Sequence, residues 1–212
     1  MVTRKSGQKK NSGTRKADYH HGDLKRALMK AASELLEEVG YEGFTLRKCA
    51  QRAGVSPSAP AHHFRDAMGL LSNLAVEGFG SLSPVLRTAF LKSQKSGVSS
   101  CRAVAIGYLR FAQANPALYK VMFASKLDAD YPELKAASEA CFEELQAAVS
   151  KLFPQKNGEE IRAISLRMWT SVHGLSMLLI ENRLNFLVGK DGFRDLSELE
   201  ADWLAAQAVQ IP

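Results

Sequence analysis

Apolar side chains recur at three- and four-residue intervals along nearly the whole chain after residue 23. Leu24, Ala27, Leu28, Ala31, Leu35 and Val39 form the first such stripe. It predicts an amphipathic helix capped by Asp23 and closed at Gly40, where a left-handed residue would end it. The same periodicity predicts helices over about 82–93, 99–114, 116–125, 132–152, 159–184 and 195–209. Asn115-Pro116 and Tyr131-Pro132 restart the chain, because proline fits a first helical turn and disfavours helix in the residue before it. Phe153-Pro154, Asn157-Gly158 and residues 189–192 read as turns. There is no internal repeat and no strand-like alternation longer than a few residues. The predicted fold is all-α.

Residues 44–65 have a different texture. Thr45 can cap a short helix through Leu46, Cys49 and Ala50, and Gly54 permits the tight turn that follows. Ser56 can cap a second short helix, with Pro57 at its first position. Val55 and Phe64 offer apolar contacts toward the long first helix. Two short helices joined by a glycine turn and packed on a third are the parts of a helix-turn-helix, although plain helical bundles contain such pairs too. Arg47, Lys48, Arg52 and Arg65 have no acidic neighbour between positions 45 and 65.

Charge and composition narrow the classes. The net charge of +6 lies in the first 16 residues, which hold Arg4, Lys5, Lys9, Lys10, Arg15 and Lys16 and no acid. The other 22 of the 28 basic side chains balance 22 acidic ones. Residues 1–17 therefore read as a disordered basic arm, either a solvated tail or a segment that lies along nucleic acid. With 46% hydrophobic and 24% charged residues in 212, the remainder suits a globular protein of one large or two small domains. No uninterrupted apolar run approaches the roughly 18 residues of a membrane span, and no apolar segment follows the N-terminal charges as in a secretory signal. Three scattered cysteines fit reduced thiols in a cytoplasmic protein.

The stretch Gly43-Phe44-Thr45-Leu46-Arg47-Lys48-Cys49-Ala50-Gln51-Arg52-Ala53-Gly54-Val55-Ser56, continued by His63-Phe64 and Leu70, resembles the first segment of the tetracycline-repressor (TetR) family of bacterial transcriptional regulators. A second stretch, Tyr108-Leu109-Arg110-Phe111-Ala112 with Asn115-Pro116-Ala117-Leu118-Tyr119 and Met122-Phe123, resembles one C-terminal type of that family. Trp169, His173 and Gly174 are similar to the Trp-His-Gly signature of the same type. The resemblance implies a DNA-binding domain over residues 18–80 and a ligand-binding and dimerisation domain over 81–212. It departs from the family at Ala61 and Ala67, where a tyrosine and a lysine commonly touch phosphate, and Pro60 lacks the N–H of a helix capped at Ser56.

In such a head the second short helix enters the major groove. That sets Ser56, Pro57, Ser58, Ala59 and His62 at or beside the bases, and Thr45, Arg47, Lys48 and His63 at phosphate. The resemblance implies an operator in double-stranded DNA, and a homodimer formed through the helices near 159–184 and 195–209. It also implies a small, apolar effector in the C-terminal bundle. Tyr108, Phe111, Tyr119, Met122, Phe123, Phe142, Trp169, His173 and Met177 are the candidate ligand contacts, set against the plainer reading of a packed core. Enzyme readings fail on spacing. Gly78-Phe79-Gly80 follows no strand, and Ser6 to Lys9 lies in the arm. The pairs His20-His21 and His62-His63 point about 100° apart, and His173 has no carboxylate one helical turn away. No cofactor is expected. The alternative to a ligand-released repressor is a helical ligand-binding or interaction protein whose DNA head is weakened.

Overall fold

The computed structural model describes residues 14–93, 97–124, 127 and 131–184, and every regular element among them is a helix. The chain forms two compact units that meet in sequence between Leu70 and Leu71.

The first unit holds α1 (Thr14–Gly43), α2 (Leu46–Arg52), α3 (Ala59–Phe64) and the opening turn of α4 (Ala67–Lys92). α1 begins nine residues before the predicted cap at Asp23, because no proline interrupts residues 14–22. Residues 14–17, read from sequence as the end of the arm, are therefore helical, and residues 1–13 lie outside the described residues. Asp23 pairs instead with Arg26 one turn on, at 3.8 Å. At Gly40 the helix breaks as predicted, with φ 68° and ψ −179°, and a last turn runs to Gly43. Leu28, Ala32, Leu35 and Leu36 of α1 are buried with Phe44, Cys49, Ala50, Phe64 and Leu70. The ends of the predicted stripe are not buried: Ala27 is exposed and Val39, beside the break, is 40% exposed.

The second unit holds the rest of α4 with α5 (Gly97–Ala114), α6 (Pro116–Met122), α7 (Pro132–Leu152) and α8 (Gly158–Ile180). The helix predicted over 195–209 lies outside the described residues. The segments predicted from Asp66 and over 82–93 are one helix, α4, with Pro84 inside it. Proline removes one helical hydrogen bond, here to the carbonyl of Gly80. Both residues are exposed, so water can serve that carbonyl and the helix continues. Leu82, Leu109, Tyr119, Val121, Val149 and Ile164 are almost fully buried at the centre.

α8 starts at a capping box: Asn157 accepts from the backbone of Glu159 and Glu160, and the Glu160 carboxylate accepts from the Asn157 N–H at 2.9 Å. Among the described residues it is the one helix long and apolar enough to cross a membrane by length and composition. Its apolar character serves two faces. Ile161, Ile164, Val172 and Leu179 are buried, whereas Ala163, Leu166, Thr170, Gly174 and Leu178 form an exposed stripe.

Candidate DNA-reading head and ligand cavity

The head is assembled by local backbone chemistry. Thr45 caps α2 by accepting the Lys48 N–H at 3.3 Å, and Gly54, at φ 69°, closes it. Gly54 and Val55 donate to the carbonyls of Gln51 and Ala50, the paired bonds that end many helices at glycine. α3 begins at Ala59, not beside Ser56. Pro60 has no N–H to send back to Ser56, so the Ser56 carbonyl takes the Ala59 N–H at 3.0 Å. Ser58 becomes the cap and Pro60 falls in the first turn, where its missing donor would have had no helical partner. Ser56, Pro57 and Ser58 are exposed in the turn before the helix. Within α3, Pro60 and Phe64 point inward, Ala61 and His62 outward, and Ala59 and His63 are half-buried.

The cations of this region are not equivalent. Arg52 pairs with Glu38 and Glu34 of α1, and the hydrogen bond from Arg52 holds the Glu38 carboxyl below its usual range. Arg65 pairs with Asp66, and the Lys48 ammonium donates to the Gly43 carbonyl at 2.9 Å. Among the described residues, Arg47 is exposed and has no acidic partner. The α3–α4 corner is tight. Asp66 N–H bonds to the Phe64 carbonyl at 2.7 Å across Arg65, whose φ of 64° and ψ of −58° define a strained three-residue turn. Asp66 then accepts the Gly69 N–H at 2.8 Å to start α4, and that bond holds its carboxyl low.

The second unit holds a partly open cavity of about 560 Å³, within the range of small-molecule sites. α4 supplies Phe79, Leu82 and Leu86 to its wall, and α5 supplies Val104, Ala105 and Tyr108. Met122 and Phe123 come from the end of α6, and Met168, Trp169 and Val172 from α8. α7 gives an inner row of Leu134, Cys141 and Leu145 and an outer row of Lys135, Ser138, Glu139 and Phe142. At Gly78 a Cβ would lie 2.6 Å from the Met122 sulfur, so this glycine lets α4 and α6 approach closely.

Behind one wall lies a network of four side chains from three helices. The Tyr119 hydroxyl is 2.6 Å from His173 Nδ1 and 3.0 Å from the Tyr108 hydroxyl, which accepts the Trp169 indole N–H at 3.2 Å. Burial raises the Tyr108 hydroxyl far above its ordinary range, pushes Tyr119 up to about 12 and lowers His173. The rings stack as well: Phe123 lies edge-on to His173 at 4.3 Å and tilted against Tyr119 at 5.0 Å.

Of the nine candidate ligand contacts, Tyr108, Met122, Phe123, Phe142 and Trp169 line the cavity. Tyr119 and His173 stand behind it as partners of Tyr108. Phe111 is a buried core residue and Met177 is half-buried off the wall. Apart from Phe142, the wall of α7 was not singled out from sequence, nor were the residues of α4. Leu134, Ser138, Cys141 and Leu145 do repeat at helical spacing, but that pattern is the same for a core and for a cavity.

A helix-turn-helix head followed by a helical bundle with an apolar cavity is the build of a helical transcriptional regulator. Residues 28–73 match the bacterial regulatory proteins of the tetR family, and residues 101–199 match the tetracyclin repressor-like C-terminal domain. The chain belongs to the TetR family, whose members are in general transcription factors and not enzymes.

Among curated relatives, the nucleoid occlusion factor SlmA of Idiomarina loihiensis is 23% identical over 129 residues, 61% of this chain and 65% of that protein. The class A tetracycline repressor from transposon 1721 of Escherichia coli is 48% identical over 48 residues, 23% of this chain and 22% of that protein. The chain thus matches less than two thirds of the length of these relatives. A solved protein of unknown function from Rhodococcus sp. RHA1 superposes with a TM-score of 0.74 at 27% identity, covering 89% of this chain and 97% of that one. FadR from Bacillus subtilis, solved in complex with stearoyl-CoA, shares the fold with a TM-score of 0.67 at 16% identity, over 85% and 97% of the two chains.

Proposed function

We propose that this protein is a cytoplasmic, homodimeric, sequence-specific DNA-binding repressor, released from its operator by a small apolar effector held in the bundle. The observation that carries the DNA role is the disposition of α3. Its inner face is anchored by Pro60 and Phe64, while His62, Ala61 and the turn Ser56-Pro57-Ser58 are exposed. Serine and histidine can bond base edges, and proline and alanine can meet a thymine methyl. Arg47 and Lys48 are the cations for phosphate. Thr45 and His63 border this face, the first through its cap and the second half-buried. One head reads few base pairs, so two related by a two-fold axis, about 34–36 Å apart on DNA, are required. The exposed stripe on α8, with Leu166 and Leu178 at 48% and 44% exposure, supports a dimer through α8 and residues 195–209.

The cavity supports the effector. A ligand bound there would favour a dimer whose heads do not fit the operator, a shift between populations of shapes. FadR from Bacillus subtilis, which shares this fold, was solved in complex with stearoyl-CoA, a molecule with a long apolar chain. The weakened-head alternative loses one support, since Pro60 fits the observed start of α3. It retains Ala61 and Ala67, which carry no group for phosphate.

The test is binding of the purified protein to DNA from upstream of its own gene, against scrambled DNA, across a salt series. A site bound at least ~10³-fold more tightly than scrambled DNA is the expected result. Equal, salt-labile binding to both, with no preferred site in a genome-wide selection, would give first place to the weakened head.

A further inference from the structure

The polar atom that a ligand would meet in the cavity follows from the donors and lone pairs around Tyr108. Three residues on the inner part of the wall carry a polar side-chain group: Tyr108, Trp169 and Cys141. Lys135 and Glu139 are exposed at the rim, and the Ser138 hydroxyl donates to the Lys135 carbonyl at 2.9 Å. The Trp169 N–H is directed at the Tyr108 oxygen, and Cys141 is hydrogen-bonded with Ser83.

A neutral imidazole has one acceptor nitrogen with one lone pair. The Tyr119 hydroxyl lies 2.6 Å from His173 Nδ1 and Tyr108 stands 3.3 Å from the same atom. The Tyr108 oxygen accepts from the Tyr119 hydroxyl at 3.0 Å and from the Trp169 N–H at 3.2 Å, so its own proton has one interior partner in reach, His173 Nδ1 at 3.3 Å. A phenolic hydroxyl rotates about its C–O bond, so Tyr108 can keep the Trp169 N–H and turn its own proton into the cavity.

We propose that Tyr108 is the polar anchor of the cavity, donating one hydrogen bond to an uncharged oxygen of an otherwise apolar ligand. The ligand class is a ketone, ester, lactone or ether, not a carboxylate or an amine. This rests on reading the bundle as the effector site. The groups around the anchor are neutral near pH 7, since burial raises Tyr108, Tyr119 and Cys141 and lowers His173. An ion brought beside Tyr108 would meet no opposite charge, and burying an unpaired charge costs far more than burying a carbonyl that regains its hydrogen bond. The charged rim residues are of both signs and select neither kind of ion.

The experiment titrates the full chain with four probes of equal chain length, 2-dodecanone, 1-dodecene, dodecanoate and dodecylamine, each below its aggregation threshold, following tryptophan fluorescence. The ketone is expected to bind about tenfold more tightly than the alkene, the worth of one net hydrogen bond, and more tightly than either ion. Y108F is expected to abolish the preference for ketone over alkene. The comparison among probes on the unmodified protein needs no variant, so it stands even if Y108F folds poorly. Dodecanoate or dodecylamine binding most tightly, ketone and alkene binding alike, or Y108F keeping the preference would overturn the anchor and leave the cavity as a ligand site. Failure of all four probes to bind would overturn the effector reading along with it.

Discussion

The two units manage their polar groups in opposite ways. In the head they are charged, exposed and tied by local bonds: Arg52 to Glu34 and Glu38, Arg65 to Asp66, Lys48 to a carbonyl. Beside the cavity of the bundle, Tyr108, Tyr119, Trp169 and His173 are neutral, half-buried or buried, and bonded to one another across α5, α6 and α8, while pairs such as Arg87 with Glu144 stay on the outside. Exposed ion pairs of this kind contribute about 0–1 kcal/mol, so the head depends on its backbone turns for shape. A buried network gains more when complete and loses more when one member is removed. The contrast fits the proposed roles, since a surface that meets a polyanion keeps its charges in water and a site for an apolar molecule removes them.

That contrast can be tested at its extremes. The largest effect is expected at Gly69, where a Cβ would lie 2.0 Å from the Phe64 carbonyl oxygen. G69A should destabilise the head by about 3 kcal/mol through overlap with backbone that cannot yield. Amide hydrogen exchange should then rise over α2 and α3 while bundle amides remain protected; unchanged protection in α3 would contradict the tight corner.

Next is Y119F, which removes the hydroxyl that lies 2.6 Å from His173 Nδ1 and donates to Tyr108. A cost of about 1–3 kcal/mol in urea unfolding is expected, read at the tryptophans of the second unit, and a neutral result would remove the case for the network. The smallest is the pH response of His173, whose pKa is lowered from 6.5 in the folded state by burial. The unfolded chain then binds the proton more readily, so stability is full above about pH 6.5 and falls as pH drops toward the folded value. The melting temperature should decline between pH 7 and 5.5, and less steeply in H173Q; parallel slopes would rule His173 out as a source.

The head was the more legible unit because its signals are local. The cap at Thr45 and the glycines at 40 and 54 stand within a few residues of the turns they make. Where it was misread, at the start of α3, Pro60 outweighed the serine cap by withholding one donor. The acid-free run from 45 to 65 misled in another way. Its arginine at 52 is neutralised by carboxylates of α1, 14 and 18 residues earlier in the chain.

The bundle's network could not be read from spacing. Tyr119 and His173 are 54 residues apart, Tyr108 and His173 are 65, and nothing in a helical periodicity says which aromatics converge. Trp169 and His173 were visible as a pair through the resemblance to the Trp-His-Gly signature. Gly174, next to them, is on the exposed stripe, and a Cβ there would meet nothing within 4 Å.

The three cysteines carry a practical consequence. Cys49, Cys101 and Cys141 are all buried; Cys49 bonds to the Leu28 carbonyl, and burial pushes the Cys49 and Cys101 thiols up to about 11. Thiol reagents act on the thiolate, so at mildly alkaline pH these positions react slowly. A single cysteine introduced at exposed Ala61 would be modified first, with the native three left in place. In the proposed dimer, spin labels at that position on both protomers would then report the distance between the two copies of α3 by electron resonance, with and without DNA or an added probe, in a protein otherwise unaltered.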